Sequence, residues 1–378
     1  MNIKQGKIPM NDKDQNSAET EVNKSGTDRR AFLTGAGVAA AATGAAVIGA
    51  VPTQTTAQTT GEPAIKPDEP VTLPPNRTFL GAPGLSDINE LDAEIAFLGI
   101  PNDQGTNTPS EITGQSQAPD TIRNFSPTVF LNIGSVGLYD VDDDVEHVKG
   151  VSLADCGNVI TVGNDVHNNY ARVEESVRRI IRKGAIPFCV GGDHSNMIPI
   201  MRGFEEYGKP FDVVQFDAHL DFGKDFLGAP YSNNSNMYVT RQLPYVNDIY
   251  ALGIRHCTKQ QFQEVKDAGT TIITARQMVD AGNAQDRIIN SIIPEGRDVY
   301  ITFDIDALDG AVAPGTTIPV PGGINYYQAL DALKAIAKRA NVIGFDMMEV
   351  HPTNDPHNIT SRLAGWIMSR TIGYMTQK

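Results

Sequence analysis

From about Phe79 onward, short runs of β-branched and aromatic residues alternate with stretches whose apolar positions recur every three or four residues. The short runs predict strands at Glu94–Gly99, Ile186–Val190, Val213–Phe216, Ile249–Gly253, Thr271–Ile273, Val299–Phe303 and Val342–Phe345. Between them, Val166, Tyr170, Val173, Val177 and Ile180 repeat at spacings of four and three, with Asp165 before the run and Gly184 after it. That is an amphipathic helix with defined ends. A second helix follows Asn325 and carries Leu330, Leu333 and Ile336 on one face. No internal repeat is visible. Strands alternating with helices are the sequence form of a parallel sheet covered by helices, so the expected fold is a single-domain, three-layer α/β sandwich.

The first 60 residues break this pattern. Residues 1–30 are polar and charged and end in Arg29-Arg30, whereas residues 31–61 carry no charged side chain. Ala31 to Val51 is long enough to span a bilayer, but its many Ala and Gly residues make it only weakly hydrophobic, so no stable membrane insertion is expected. The stretch TDRRAFLTGAG (27–37) resembles a twin-arginine export signal, with small-residue cleavage candidates near Ala50 and Ala57. The expected organisation is an export signal over 1–57, a Thr/Pro-rich linker over 58–78 and a catalytic domain over 79–378. Such a protein would be periplasmic or extracellular, and cytoplasmic if the leader is not a signal. A G-x-G-x-x-A match at Gly35, Gly37 and Ala40 is discounted because no strand precedes it.

Composition narrows the function classes. The 378 residues are 40% hydrophobic and 20% charged, enough to bury a substantial core. With 31 Lys+Arg against 45 Asp+Glu, the net charge of −14 would repel a phosphate backbone or an anionic membrane surface, so nucleic acid is not an expected partner. Cys156, Cys189 and Cys257 are too few and too scattered for a disulfide framework or a Cys-type zinc site, and allow at most one bridge.

Candidate chemistry lies where the predicted strands end. GGDHS (191–195), DAHLD (217–221), DID (304–306) and MMEVHP (347–352) each follow a different strand. Open α/β sheets build their sites at the carboxyl ends of strands. Residues two apart on an extended run project to one side, so Asp217, His219 and Asp221 can converge, as can Asp304 and Asp306. With His194 they form a candidate metal-ligand set of four carboxylates and two imidazoles. Two divalent cations would offset the four negative charges, which favours a dinuclear site. His351, close to Glu349, is a candidate for supporting the ligands, while His147, His167, His256 and His357 read as ordinary surface or loop histidines.

GGDHS, DAHLD, FDIDALDGAVAPGTTIPVPGG (303–323) and FDMMEVHP (345–352) together resemble the signature set of the ureohydrolase family, which includes arginases and agmatinases. The likeness runs over roughly residues 90–375, and the APGT and PGG elements are closer to the agmatinase branch. The resemblance implies the arginase-type three-layer fold. It implies that His194, Asp217, Asp221 and Asp304 hold one or other of two Mn(2+) ions, with His219 and Asp306 completing the pair, although Ni or Co would accept the same ligands. Glu349 would hold a substrate guanidinium through paired hydrogen bonds, and Asp221 would pass a proton to the leaving amine. A small guanidino compound such as agmatine would yield urea and an amine, catalysed by a trimer or hexamer.

One stretch departs from the pattern. Agmatinase-like members carry a His-Gly pair after the second motif, whereas this chain has YSNNSNM (231–237), with Asn233 or Asn234 in that place. An amide cannot relay protons. The departure leaves formimidoylglutamate hydrolysis, or a non-catalytic subunit of the same fold, as alternatives. Lys224 and Asp225 in the preceding loop are candidates for selecting the substrate tail.

Overall fold

The computed structural model describes residues 65–107, 113–126 and 137–377, all of which fall in one compact unit; the candidate export segment 1–57 lies outside the described residues. The strands are β1 (Thr72–Leu73), β2 (Ile95–Gly99), β3 (Leu138–Asp140), β4 (Val145–His147), β5 (Leu153–Val159), β6 (Ile186–Val190), β7 (Phe211–Phe216), β8 (Val246–Ile254), β9 (Thr271–Thr274), β10 (Asp298–Asp304) and β11 (Asn341–Met348). The helices are α1 (Ala118–Phe125), α2 (Val166–Arg182), α3 (Met197–Gly203), α4 (Asn236–Arg241), α5 (Lys259–Asp267), α6 (Ala275–Ala281), α7 (Gln285–Ile292), α8 (Tyr326–Arg339) and α9 (Ile359–Thr376).

Nine strands form one sheet in the order β1-β5-β2-β6-β11-β10-β7-β8-β9, parallel throughout except for β1, while β3 and β4 pair as a separate hairpin. Alternation along each strand feeds two cores. Phe97, Phe188, Phe216, Phe303 and Phe345 point to the side covered by α8 and α9. Ala96, Leu98, Cys189, Val213 and Tyr300 point to the side covered by α2 and α3. The first face is tied across strands by stacked rings, Phe188 on Phe345 at 4.6 Å and Phe216 on Phe303 at 5.0 Å. Helix α2 has the predicted apolar stripe, and α8 opens with a capping box between Asn325 and Gln328. The expected α/β/α sandwich is thus the observed architecture.

Two features differ from the sequence reading. Thr72 and Leu73, inside the expected linker, pair with Val159 and Asn158, and Val71 is buried, so this part of 58–78 belongs to the folded sheet. Strand β5 has no apolar signature because it buries Asp155, whose carboxylate accepts from Arg123 Nε and Nη2 at 2.9 Å and from the Phe79 amide. The buried salt bridge satisfies a charge that sequence patterning reads as surface. Cys156, Cys189 and Cys257 are free. Among the described residues no helix is long and apolar enough to cross a membrane.

Candidate metal centre and substrate pocket

Strands β6, β11, β10 and β7 are consecutive in the sheet, so the four motifs open side by side at their carboxyl ends. Tight turns, not an extended pleat, aim the ligands, which corrects the geometry expected from sequence. Asp217 Oδ1 accepts the amide of His219 at 2.6 Å, and Asp304 Oδ1 accepts that of Asp306 at 2.9 Å as the chain bends into a short 3₁₀ turn. In each case one carboxylate oxygen fixes the turn.

The six candidate ligands come together. His194 Nδ1 lies 3.3 Å from Asp217 Oδ2, 3.1 Å from Asp221 Oδ2 and 3.2 Å from Asp304 Oδ2. His219 Nδ1 lies 3.0 Å from Asp306 Oδ2 and 3.5 Å from Asp217 Oδ1. Asp217 therefore turns one oxygen to each imidazole and is shared by two clusters, His194–Asp217–Asp221 and Asp217–His219–Asp306, each with metal-ligating atoms within 4.8 Å of one another.

The surroundings favour cations there. His194 Nδ1 is buried, faces three carboxylate oxygens and makes no well-directed hydrogen bond to any of them. Its other ring nitrogen, Nε2, lies 2.9 Å from Thr302 Oγ1, whose proton goes to Asp346 Oδ1 at 2.7 Å; the Tyr300 hydroxyl donates to Asp346 Oδ2. That chain fixes a proton on Nε2, so Nδ1 is the ring nitrogen left to ligate a cation among the carboxylates. Burial raises the Asp221 carboxyl to about 6, with Asp217 adding to the rise, and burial likewise pushes Asp304 well up. Burial opposes charge on His194 and His219, yet the facing carboxylates outweigh it, raising His194 far above its ordinary value and His219 to about 12. Without other cations the cluster thus gathers protons. Its donor set of four carboxylates and two imidazoles fits two divalent ions that carry the same charge.

Glu349 stands at the pocket wall just past β11. Its Oε1 accepts the His194 amide at 2.9 Å and Asn233 Nδ2 at 3.3 Å, while Oε2 accepts from Thr317 Oγ1 at 3.1 Å and Gln115 Nε2 at 3.3 Å. Asp221 and Glu349 both hold left-handed backbone, with φ of 46° and 60°. Non-glycine residues adopt this conformation at a cost that recurs at functional sites. A cavity of about 140 Å³ connects His219, Asp221, Asp304, Asp306 and Glu349 with Asn107, Asn233, Asn234, His256, Gln261 and Thr317.

Several residues escape or contradict the sequence reading. His256 is no ordinary loop histidine, because its ring lies 5.2 Å from that of His219 and lines the cavity. His147 is fully buried, not on the surface; His167 and His357 are exposed as expected. His351 is buried and caps the turn Pro352–Asn354; a Cβ at Gly114 would collide with its ring. Lys224 and Asp225 are exposed and do not line the cavity, and Asp225 accepts the Gly228 amide. Thr302 and Asp346 had no signal beyond being polar in apolar strands, and Gln115, in the polar stretch Thr113–Gln117, had none. His256 had one, because a polar residue follows the predicted strand Ile249–Gly253 as in the other motifs.

Fold and cluster define an α/β protein with a candidate two-centre cation site at the carboxyl edge of its sheet. The Arginase family model matches residues 93–373. An agmatinase of Bacillus anthracis is 28% identical over 288 residues, 73% of this chain and 93% of the relative. An agmatinase of Halalkalibacterium halodurans is 29% identical over 246 residues, 62% of this chain and 82% of the relative. Among solved structures, proclavaminate amidino hydrolase from Streptomyces clavuligerus superposes with a TM-score of 0.66 at 26% identity, over 79% of this chain and 96% of that one. Formimidoylglutamase from Bacillus subtilis gives 0.67 at 25%, over 76% and 89%. The chain belongs to the arginase family, and is an arginase-family hydrolase by that membership.

Proposed function

We propose that this protein is a dinuclear-metal amidinohydrolase that cleaves the C–N bond of a small, linear guanidino compound, agmatine or a relative of it, into urea and an amine. The observation that carries the reading is that Asp221, Asp304, Asp306 and Glu349 line one cavity, so an anionic guanidinium clamp opens onto the candidate ligands. His194, Asp217, Asp221 and Asp304 would hold one ion, and His219, Asp306 and the shared Asp217 the other. Mn(2+) is the first choice for so oxygen-rich a set, with Ni or Co as substitutes. Bound there, the ions supply the acidity that lets water ionise near neutral pH.

The protein groups do the rest. Glu349, immobilised by Gln115, Thr317 and the His194 amide, receives two parallel N–H bonds from the guanidinium and fixes its plane. Asp221 is held by Asn236 Nδ2 at 2.7 Å with its carboxylate on the cavity wall, placed to accept the proton of the attacking water as the C–O bond forms. The same proton then goes to the leaving nitrogen as the C–N bond breaks. Asn233 donates to Glu349 and serves as a positioning residue.

Metal-loaded protein screened for urea release against agmatine, arginine, 4-guanidinobutyrate and guanidine tests the reaction, with ammonia or formamide release from formimidoylglutamate as the competing outcome. No urea from any guanidino compound defeats the reading. The 1–57 leader is proposed as a twin-arginine signal, supported by Arg29-Arg30 and the uncharged stretch behind it. Replacing the pair by Lys-Lys should retain the protein in the cytoplasm, and unchanged export would refute this. A trimer or hexamer is the assembly that accompanies the reading, to be checked by light scattering.

A further inference from the structure

Two unlike sets of residues line the cavity. In the first, the polar groups are held by the protein: Glu349 accepts four hydrogen bonds, one of them from the Asn233 amide, and Asp221 accepts from the Asn236 amide. In the second, Asn234, His256 and Gln261 also line the cavity, but among the described residues their side-chain polar atoms make no hydrogen bond to the protein. What fixes these residues is backbone. The Asn234 carbonyl accepts the Gly223 amide at 2.7 Å, the His256 amide donates to the Ala218 carbonyl at 2.9 Å, and the Gln261 amide donates to Thr258 Oγ1 at 3.1 Å at the start of α5. The backbones are pinned, the side chains keep donors and acceptors free of protein partners, and the neighbouring wall of Asn107, Thr316, Thr317 and Ile318 adds no charge, so a ligand tail in this part of the lining meets only neutral hydrogen-bonding groups.

Resting on the amidinohydrolase reading, we propose that Asn234, His256 and Gln261 form the subsite for the substrate's tail, and that they select an uncharged, hydrogen-bonding tail such as a hydroxyalkyl group. Two amides and an imidazole can donate to and accept from a hydroxyl or carboxamide. A charged tail entering the same space would find no counter-charge on these three residues, so it gains less there than a tail that exchanges hydrogen bonds with them. Discrimination of this kind is strong, because a site built to hydrogen-bond a substrate group penalises partners that leave its polar groups unpaired. Gln261 is the residue whose replacement most directly changes the charge of the wall, since it is partly exposed in the first turn of a helix and its side chain supports nothing else.

The test uses the full, metal-loaded chain and four probes: 2-hydroxyethylguanidine, methylguanidine, agmatine and 4-guanidinobutyrate. The hydroxyethyl compound should have a kcat/KM at least about tenfold above either charged compound, with methylguanidine between them. Gln261→Glu should raise the ratio of agmatine to hydroxyethylguanidine by about tenfold, and Gln261→Lys should do the same for 4-guanidinobutyrate, mainly through KM. Calorimetric affinities of the protein for the same compounds should follow the same order and the same reversals. A charged compound ranked first by the unaltered protein overturns the proposal, as do ratios unmoved in both variants. Urea from none of the four probes overturns the amidinohydrolase reading itself, and so is distinct from a wrong tail.

Discussion

Two clusters of Asp and His in this molecule have the residue types of a metal site, and they sit in opposite electrostatic situations. The first is the set around His194 and His219; the second is Asp140, Asp143 and His147, at the β3–β4 hairpin. In the second, the chain supplies its own cations. Arg370 pairs with Asp140 and Lys334 with Asp143, while His147 Nε2 bonds Asp140 Oδ2 at 3.1 Å. In the first, Arg255 feels Asp306 and Asp217, yet spends its donors on the carbonyls of Gly253, Asp306, Ala307, Leu308 and Val320. Among the described residues no Lys or Arg pairs with these carboxylates, which face the imidazoles and neutral donors such as Asn236 and Gln215. The titration of the histidines reports the difference: His194 and His219 are pushed up by their carboxylates, whereas burial, the largest influence on His147, pulls it down. Ligand types and spacing are therefore not enough to mark a cation site. What marks it is negative charge that the protein leaves uncompensated.

The largest expected effect is at the shared carboxylate. Asp217→Ala should abolish retention of both ions and lower activity by well over the roughly 10–100-fold that loss of a ligand's outer partner costs. Asp306→Ala should cost at least one ion together with activity. Asp143→Asn should change neither metal content nor rate. Metal analysis of the three purified variants settles the comparison, and loss of an ion on Asp143→Asn would break it.

The hairpin cluster should show its importance in stability instead. Asp140 is buried, and Arg370→Leu removes its cation while leaving the carboxylate in place. Breaking a buried pair from one side costs about 3–5 kcal/mol, so urea unfolding should shift by that order. Added divalent metal should not restore it. Restoration would mean that this cluster, too, binds an ion and that Arg370 merely replaces it.

A further variant asks how the open imidazole is aimed. Thr302→Val removes the acceptor for His194 Nε2–H while keeping the shape of β10, so metal affinity should fall about 10–100-fold with the ligands intact. Thr302→Ser should restore it. An unchanged affinity in the valine variant would show that packing alone fixes the ring.

How much of this was legible in the sequence follows from where each residue lies. His194, Asp217, His219, Asp221, Asp304, Asp306 and Glu349 stand directly after strands with strong apolar signatures, so strand prediction alone brought them to one edge. That four of those strands are neighbours is a property of topology, which spacing does not encode. Strand β5 was invisible because Asp155, Gly157 and Asn158 break its apolar run, and only the partner Arg123, far away in sequence, makes their burial tolerable. His256 and His147 look alike in sequence. The first reaches the cavity because β8 runs beside β7, and the second is enclosed by Tyr374 and Gly373 of α9, contacts that form only on folding.

The smallest expected effect is the pH dependence that separates the two kinds of histidine. His147 is held below its ordinary value by burial, against the pull of Asp140, so its neutral form is favoured in the fold. An unfolded chain then binds more protons at this position once the pH drops below about 6.5, and the histidine's contribution to stability, intact above that pH, is lost as the pH falls towards its folded value. His194 and His219 have the opposite sign when no metal is bound. Their raised values stabilise the fold most below about 6.5, and that contribution declines as the pH rises. Comparing metal-free protein with its His147→Gln variant cancels the site histidines and isolates His147, because glutamine Nε2 can donate to Asp140 in the same place. The stability advantage of the unaltered protein over the variant should therefore shrink between pH 6.5 and pH 5.5, read from urea midpoints at each pH. An advantage that grows on acidification would mean that His147 is protonated in the fold, that Asp140 outweighs burial there, and that the two clusters are electrostatically alike.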